Sequence, residues 1–353
     1  MGLLRRVVAY PVVVLSEVPS RSKNWVDVRL LRKHKSFSLS GVLPVSGDVA
    51  ILVSYPGTTT FGSVERIALW LEEAGYSLII VINENDKARQ WHSKLSSPKR
   101  ALLLRPNIGS DFGAYKLALD LISKDAKSLQ NIALVNDSMI YPPNSHDSVL
   151  GILDKQSKSS CNSLFLNMQA VIHAPSMLLR FGPTVTSSVD FWRFWSHYYP
   201  YSSKRKVIKR GEHRLTKVLG WKAVQPAFSS HTLPKVTDMT IAEYNQLLRW
   251  SYMTDPVFAE SVKLAKGSQE YRSLLQFALE NFHVSDSLGL YCARQFHAPL
   301  KLDLAKRGLT TKQAMLDAMA HEGLSPEELG ELQKILDRNV SYQTKSLFQR
   351  IFA

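Results

Sequence analysis

Between residues 49 and 135 the chain alternates uninterrupted apolar runs with stretches of helical period. Residues 49–54 are apolar up to a terminal serine, follow Gly47-Asp48 and end in Tyr55-Pro56-Gly57, which predicts a buried strand running into a loop. Ser63 then precedes 64–75, where apolar positions recur about every 3.6 residues and Gly75 closes the run, the pattern of a capped helix. Residues 76–82 predict a second strand, 101–104 a third and 132–135 a fourth, with a helix over 112–122 before the last. This alternation predicts a mostly parallel sheet with crossover helices on both faces, because strands covered on both sides show no polar alternation. Residues 163–173 and 177–181 predict further strands, and 189–199 an aromatic helix. Beyond about 235 the pattern is helical, over 240–253, 255–265, 268–282, 285–297, 311–321, 325–338 and 341–351. Ser325-Pro326-Glu327-Glu328 opens one of these with a cap, a proline at the first helical position and acidic first-turn residues. The expected class is α/β: a Rossmann-type, mostly parallel sheet flanked by helices over 48–234, after a basic segment 1–47 and before an α-helical C-terminal region 235–353.

Composition changes this picture in one respect. The 353 residues are 45% hydrophobic and 21% charged, as in ordinary globular chains, which excludes a disordered protein. Charge is the outlier: 44 Lys and Arg against 30 Asp and Glu, a formal +14. Such an excess bears on partners rather than fold, and invites nucleic acid, an anionic membrane face or a phosphate-bearing substrate. Cys161 and Cys292 cannot build a disulfide framework and neither lies in a Cys-x-x-Cys, so a reducing compartment is expected. No apolar run approaches the roughly 20 residues of a membrane span. The start imitates a secretory signal, but Pro11 interrupts its apolar stretch and Ser16-Glu17-Val18-Pro19 replaces a small-x-small site. Arg6 stands where a myristoylation signal has Ser or Thr. The expected location is cytoplasmic, peripheral on the inner face of the cytoplasmic membrane.

Open parallel sheets bind ligands beyond the carboxyl ends of their strands. Those ends here carry Ser54 and Tyr55, then Asn83, then Arg105-Pro106-Asn107-Ile108-Gly109-Ser110-Asp111, then Asn136-Asp137-Ser138. In the third segment Gly109 and Gly113 permit close backbone approach, and the helix that follows offers free N–H groups to an anion. Arg105 and Lys116 add charge suited to a diphosphate, while Asp111 suits either a ribose hydroxyl or base edge, or a helix cap. The segment is neither Gly-x-Gly-x-x-Gly nor a Walker loop, which disfavours a dehydrogenase or a kinase. Asp137 is either the single protein carboxylate of a hard divalent cation, Mg or Mn, beside a diphosphate, or an Asx turn leaving a strand.

The Arg105-Pro106-Asn107-x-Gly109-x-Asp111-Phe112-Gly113-Ala114-Tyr115 stretch followed by Leu134-Val135-Asn136-Asp137-Ser138 resembles the rhamnan synthesis protein F family of bacterial cell-surface polysaccharide glycosyltransferases. Asn167-Met168-Gln169, the Phe191, Trp192, Phe194, Trp195 cluster, Val207-Ile208-x-x-Gly211-Glu212, Leu215 and Gly220 follow in the family's order, so the resemblance covers about 48–228. It implies a GT-A-like fold and transfer of a sugar, rhamnose or a related deoxyhexose, with inversion. The donor would be a nucleotide-sugar such as a dTDP- or GDP-linked deoxyhexose. The acceptor would be a lipid-linked glycan growing into a lipopolysaccharide O-antigen or rhamnan. On this resemblance Asp137 holds the metal or diphosphate, and Arg105, Asn107, Gly109 and Asp111 shape the donor site, to which the strand ends add Ser54, Tyr55, Asn83, Asn136 and Ser138 and the charge of Lys116. Glu212 is the base that deprotonates the acceptor; read by itself it is equally a first-turn helix acid. Gln169 and His173 fall on the acceptor side or cleft wall. The sequence departs from the family in having one carboxylate where Asp-x-Asp is usual, and Asn167 and Ala170-Val171 where it has His and Ser-Tyr.

Elsewhere the bland readings prevail. His173 reads as a core or cleft-wall residue, the aromatic cluster at 191–195 as core, and His92, His146 and His197 lack zinc-ligand spacing. Lys204-Arg205-Lys206 with Lys209-Arg210 reads as a solvated loop or as a contact for anionic headgroups or a lipid-linked diphosphate. Two other functions compete. A nucleic-acid-binding protein would use the charge, but no basic stretch is interleaved with aromatics and no nucleic-acid partner is expected. An inactive sugar-binding or scaffold module, assembled as a homo-oligomer through the helical tail, would explain the missing second acid.

Overall fold

The computed structural model describes residues 37–157, 160–167, 171–201, 203–229, 232–240, 242–243, 247 and 284–338. The expected apolar runs form its centre: β2 (Gly47–Ser54), β3 (Ser77–Asn83), β4 (Arg100–Arg105) and β5 (Leu129–Asn136). They pair in parallel in the order β4-β3-β2-β5. The crossovers run through α1 (Phe61–Glu73), α2 (Ala88–Leu95) and α3 (Ser110–Ile122). Strand order therefore reverses between β2 and β5, and the crevice that opens there is where such sheets take ligands.

The sheet sits between two apolar layers. Ala50, Leu52, Ile80 and Val135 face α1, α2 and α4 (His146–Leu153), while Val49, Ile51, Val81 and Leu134 face α3 and α5 (Val189–His197). Alternate residues of each strand thus enter opposite cores, both dry. That is why the strands carry no polar period. The 191–195 cluster is core, as expected: Phe191, Phe194 and Trp195 are buried, and Trp195 stacks on Phe112 with centroids 5.4 Å apart.

Eight strands make the sheet, not parallel throughout. β1 (Ser38–Ser40) adds antiparallel to β4, and β8 (Leu178–Phe181) antiparallel to β5. β7 (Cys161–Phe165) pairs antiparallel with β8 and parallel with β9 (Val224–Phe228). The strand expected over 163–173 stops at Phe165. Asn167 and His173 then form an isolated antiparallel bridge, with N···O distances of 2.9 and 3.1 Å. β1, β9, α2 and α4 are short elements outside the expected pattern.

The C-terminal part consists of a short turn, Val284–Ser287, then α7 (Gly289–Phe296), β10 (Leu300–Lys301), α8 (Lys312–His321) and α9 (Pro326–Arg338). The helices expected over 285–297, 311–321 and 325–338 are these. Most of 240–253 and all of 255–265, 268–282 and 341–351 lie outside the described residues. β10 pairs antiparallel with β6 (Met139–Ile140), Leu300 against Ile140 and Lys301 against Met139. Ile140 is buried in the core of α7, α8 and α9, and Val284, Leu288 and Cys292 are buried in that of the main sheet. The two parts thus share their apolar interior. Arg66 strengthens the junction, reaching from α1 to Glu328 of α9 at 2.6 Å.

Leu300 is fully buried at this junction. Leu300→Ala is expected to cost about 2–5 kcal/mol through lost transfer energy and a residual cavity. Urea denaturation should show one shifted transition; early melting of 284–338 alone, with the sheet unaffected, would contradict the shared core.

Candidate functional site

A cavity of about 1170 Å3 opens where the strand order reverses. Its floor is the pair of strand ends β2 and β5. Asp137 sits there, and its Oδ2 accepts from the Ser54 hydroxyl at 3.0 Å and the Tyr55 N–H at 2.5 Å. The carboxylate thus bridges two strands that diverge beyond this point. Burial pushes the Asp137 carboxyl up to about 7; the bonds from Tyr55 and Ser54 oppose that rise and the nearby Asp111 adds to it.

Asn136 does the turning that the sequence left open for Asp137. Its Oδ1 accepts from the Ser138 N–H at 3.1 Å and the Ser138 hydroxyl at 2.5 Å, an Asx turn. Its Nδ2 donates to Asp111 Oδ2 at 3.0 Å and to the Ser176 carbonyl at 3.2 Å. With its own neighbour occupied in this way, Asp137 is left to meet Ser54 and Tyr55.

Asp111 lies in the first turn of α3 and lines the cavity. It is not the helix cap; Gly109 is, at φ 78°. A Cβ on Gly109 would also come 2.5 Å from Pro200, so glycine is required there twice over. Burial, reinforced by Glu212, pushes the Asp111 carboxyl up to about 6, against the pull of Arg105.

Glu212 closes a π-helical turn, Val207–Glu212, ahead of α6 (His213–Leu219). Its Oε1 accepts from both the N–H and the hydroxyl of Ser176, each at 3.0 Å, while Oε2 lies 3.7 Å from His173 Nε2. His173 Nδ1 meets the Val171 carbonyl at 3.0 Å, so Nδ1 carries the proton and Nε2 faces the carboxylate. The His213 ring packs against His173 at 4.5 Å; burial, with the charges of His173 and Lys209, holds His213 below the usual imidazole range. Gly211 lets the turn approach α3, since a Cβ there would sit 2.9 Å from the Phe112 ring. Glu212 therefore enters the cavity because Gly211 lacks a side chain.

Tyr55, Asn83, Asn107, Asp111, Asn136, Asp137, Ser138, His173 and Glu212 all line the cavity. Ser54 stands behind Asp137 as its hydrogen-bond donor, and Asn83 Nδ2 donates to the Ser54 carbonyl at 3.3 Å while its buried Oδ1 has no partner. Asn167, which also lines the cavity, likewise has a buried Oδ1 with no partner. Two expected anion ligands point elsewhere. The buried Arg105 guanidinium donates to the carbonyls of Pro106 (2.9 Å) and Ile108, bracing its own loop; burial draws it down to about 10, against the pull of Asp111. Lys116 reaches Asp120 and the carbonyls of Trp195 and Ser196 on the outer side of α3. Gln169 lies outside the described residues.

Other residues enter that no sequence pattern assigned. Ser176 holds Glu212, with no neighbouring motif to mark it. Asp286, Lys301, Asp303, Lys306 and Arg307, all C-terminal, form one wall; their only signal is a local density of charge. Lys204, Arg205 and Lys209 of the basic run, all exposed, also line the cavity. No group of three or more acidic, His or Cys ligands gathers among the described residues; a divalent cation here would be held by Asp137. That fits a hard ion completing its shell with phosphate oxygens and water. No helix among the described residues is long and apolar enough to cross a membrane.

No family model matches the chain. It is similar to the uncharacterized protein y4gN of Sinorhizobium fredii (strain NBRC 101917 / NGR234), 31% identical over 188 residues that cover 50% of this chain and 47% of the relative. The chain thus spans about half the length of the curated relative it matches.

Asp111 and Asp137 both have carboxyls raised by folding, so their ionisation favours the unfolded chain. Their stabilising neutral forms are complete below about 4 and lost as pH rises to about 7. Asp111→Asn, which keeps an acceptor for Asn136, should gain stability relative to the native chain across that range. Paired melting curves at pH 4 to 8 test this, and a pH-independent difference would contradict the burial of the charge.

Proposed function

We propose that the protein is an inverting, nucleotide-sugar-dependent glycosyltransferase of GT-A type. It moves rhamnose or a related deoxyhexose from a dTDP- or GDP-linked donor to a lipid-linked cell-surface polysaccharide at the inner membrane face. One observation carries this reading: Glu212, fixed by Ser176, and Asp137, fixed by Ser54 and Tyr55, line one polar cavity at the reversal of the strand order. Inverting transfer asks for a single carboxylate base near the acceptor and positive charge near the leaving diphosphate. It does not ask for the paired carboxylates of a glycosidase.

In this reaction the acceptor hydroxyl gives its proton to Glu212 as its oxygen attacks the anomeric carbon. The bond from that carbon to the diphosphate oxygen breaks, and the diphosphate leaves with the electron pair. Ser176 holds Oε1, so Oε2, turned toward His173, is the oxygen placed to take the proton. Asn136 ties both halves together, since the Ser176 carbonyl that its amide binds belongs to the residue gripping Glu212. A divalent cation, held by Asp137, would supply positive charge to the departing diphosphate. Asn107 and Asp111 stand at the N-terminal end of α3, positioned for the nucleoside half of the donor.

The test is hydrolysis and transfer with a panel of nucleotide sugars. Glu212→Gln keeps an acceptor for Ser176 and removes the base, so kcat should fall about 10²–10⁴-fold with donor binding retained. A native chain that binds no nucleotide sugar, or a Glu212→Gln variant as active as the native chain, overturns the reading. Donor binding without any turnover in the native chain favours an inactive sugar-binding module instead, consistent with one strand-end acid in place of two.

A further inference from the structure

The floor of the cavity is acidic. Asp111, Asp137 and Glu212 all line it, Glu212 raising the Asp111 carboxyl and Asp111 that of Asp137, so the floor by itself repels a diphosphate. The opposite wall is basic. Lys301, Lys306 and Arg307 come from the C-terminal part, and Lys204, Arg205 and Lys209 from the segment leading to Glu212. Among the described residues lining that wall, six are cationic and two, Asp286 and Asp303, are acidic.

Those two acids act as a frame. Asp286 is buried and accepts from Lys301 and from Arg307, both at 2.7 Å. Asp303 takes Lys204 at 3.0 Å, joining the C-terminal wall to the segment before Glu212. Burial alone would raise both carboxyls, yet the surrounding cations hold both below the usual range. Lys301, Arg307 and Lys204 are therefore set in place before any ligand arrives, which lowers the ordering cost of binding. The backbone fixes their distance from the floor. Lys301 pairs with Met139, two residues beyond Asp137, and the Leu302 N–H donates to the Ser138 carbonyl at 3.0 Å. An anion beside Asp137 is thus beside this wall.

We infer that the C-terminal wall, through Lys301, Lys306 and Arg307 with Lys204 across from them, is the diphosphate-binding half of the donor site. The ligand class is a nucleoside diphosphate, free or carrying a sugar. The inference rests on the glycosyltransferase reading for the identity of the sugar donor, though not for the diphosphate. It assigns the role expected of Arg105 and Lys116 to residues of a different part of the chain. The surplus charge also compensates the developing negative charge of a leaving diphosphate with protein cations, whether or not a metal is bound.

Titration calorimetry with GDP, dTDP, UDP and inorganic pyrophosphate tests it on the full chain. Lys306→Ala and Arg307→Ala should each weaken diphosphate binding about tenfold or more, with Arg307→Lys recovering part of the loss. Lys116→Ala, and Lys124→Ala as a control for bulk charge, should bind as the native chain does. Circular dichroism melting confirms that each variant is folded. If diphosphates bind but ignore Lys306→Ala and Arg307→Ala, the inference fails while the glycosyltransferase reading stands. If pyrophosphate binds through this wall yet no nucleotide sugar is turned over, the inference stands and the reading of the reaction fails. A native chain that ignores every diphosphate, or prefers single-stranded DNA, overturns the wall as a diphosphate site.

Discussion

Two strands that part company, β2 and β5, are held at their ends by one buried carboxylate. Asp137 takes a hydroxyl from Ser54 and a backbone N–H from Tyr55, and both donors lie on the far side of the gap. Without such a link the crevice at the reversal of strand order would be two frayed loops. Ionised, the carboxylate accepts charge-assisted bonds that are individually strong, but its burial resists ionisation. The site is therefore poised between two costs, and a ligand bringing positive charge to Asp137 would relieve the larger one.

Asn136, one residue earlier, spreads that constraint outward. It turns the chain onto Ser138, holds Asp111 at the head of α3, and binds the carbonyl of Ser176, whose N–H and hydroxyl fix Glu212. Three elements distant in sequence are thereby set relative to one strand end. Glycines make the approach feasible: Gly109 passes Pro200 and Gly211 passes the Phe112 ring at distances no Cβ permits. Close backbone contact is how a single carboxylate such as Glu212 can be positioned without a dense polar network.

The C-terminal part completes the enclosure rather than standing apart. β10 lies against β6, just past Asp137, and Lys204 reaches Asp303 across the mouth. Charge complementarity follows from this arrangement, with acids on the floor from the sheet and cations on the wall from residues 301–307 and 204–209. Part of the chain's formal +14 is thus gathered at the mouth of this cavity.

The order of apolar runs by itself determined the parallel core, because strands buried on both faces must be uniformly apolar, and it determined that polar groups would gather at their ends. It determined equally that 191–195 would be core, since that aromatic density has no use in solvent. Tertiary structure decided the rest. Whether β8 ran with or against β5 depended on how the chain returned, and a strand as short as Leu178–Phe181 reads alike in both directions. Arg105 and Lys116 sit at positions suited to an anion, yet a long side chain turns toward whichever acceptors lie within reach. For Arg105 these are the carbonyls of its own loop, and for Lys116 Asp120 and the end of α5. Lys301 and Arg307 carried no motif, because their place beside the cavity comes from a pairing between residues 160 or more positions apart, Leu300 with Ile140 and Lys301 with Met139, which only the folded chain creates.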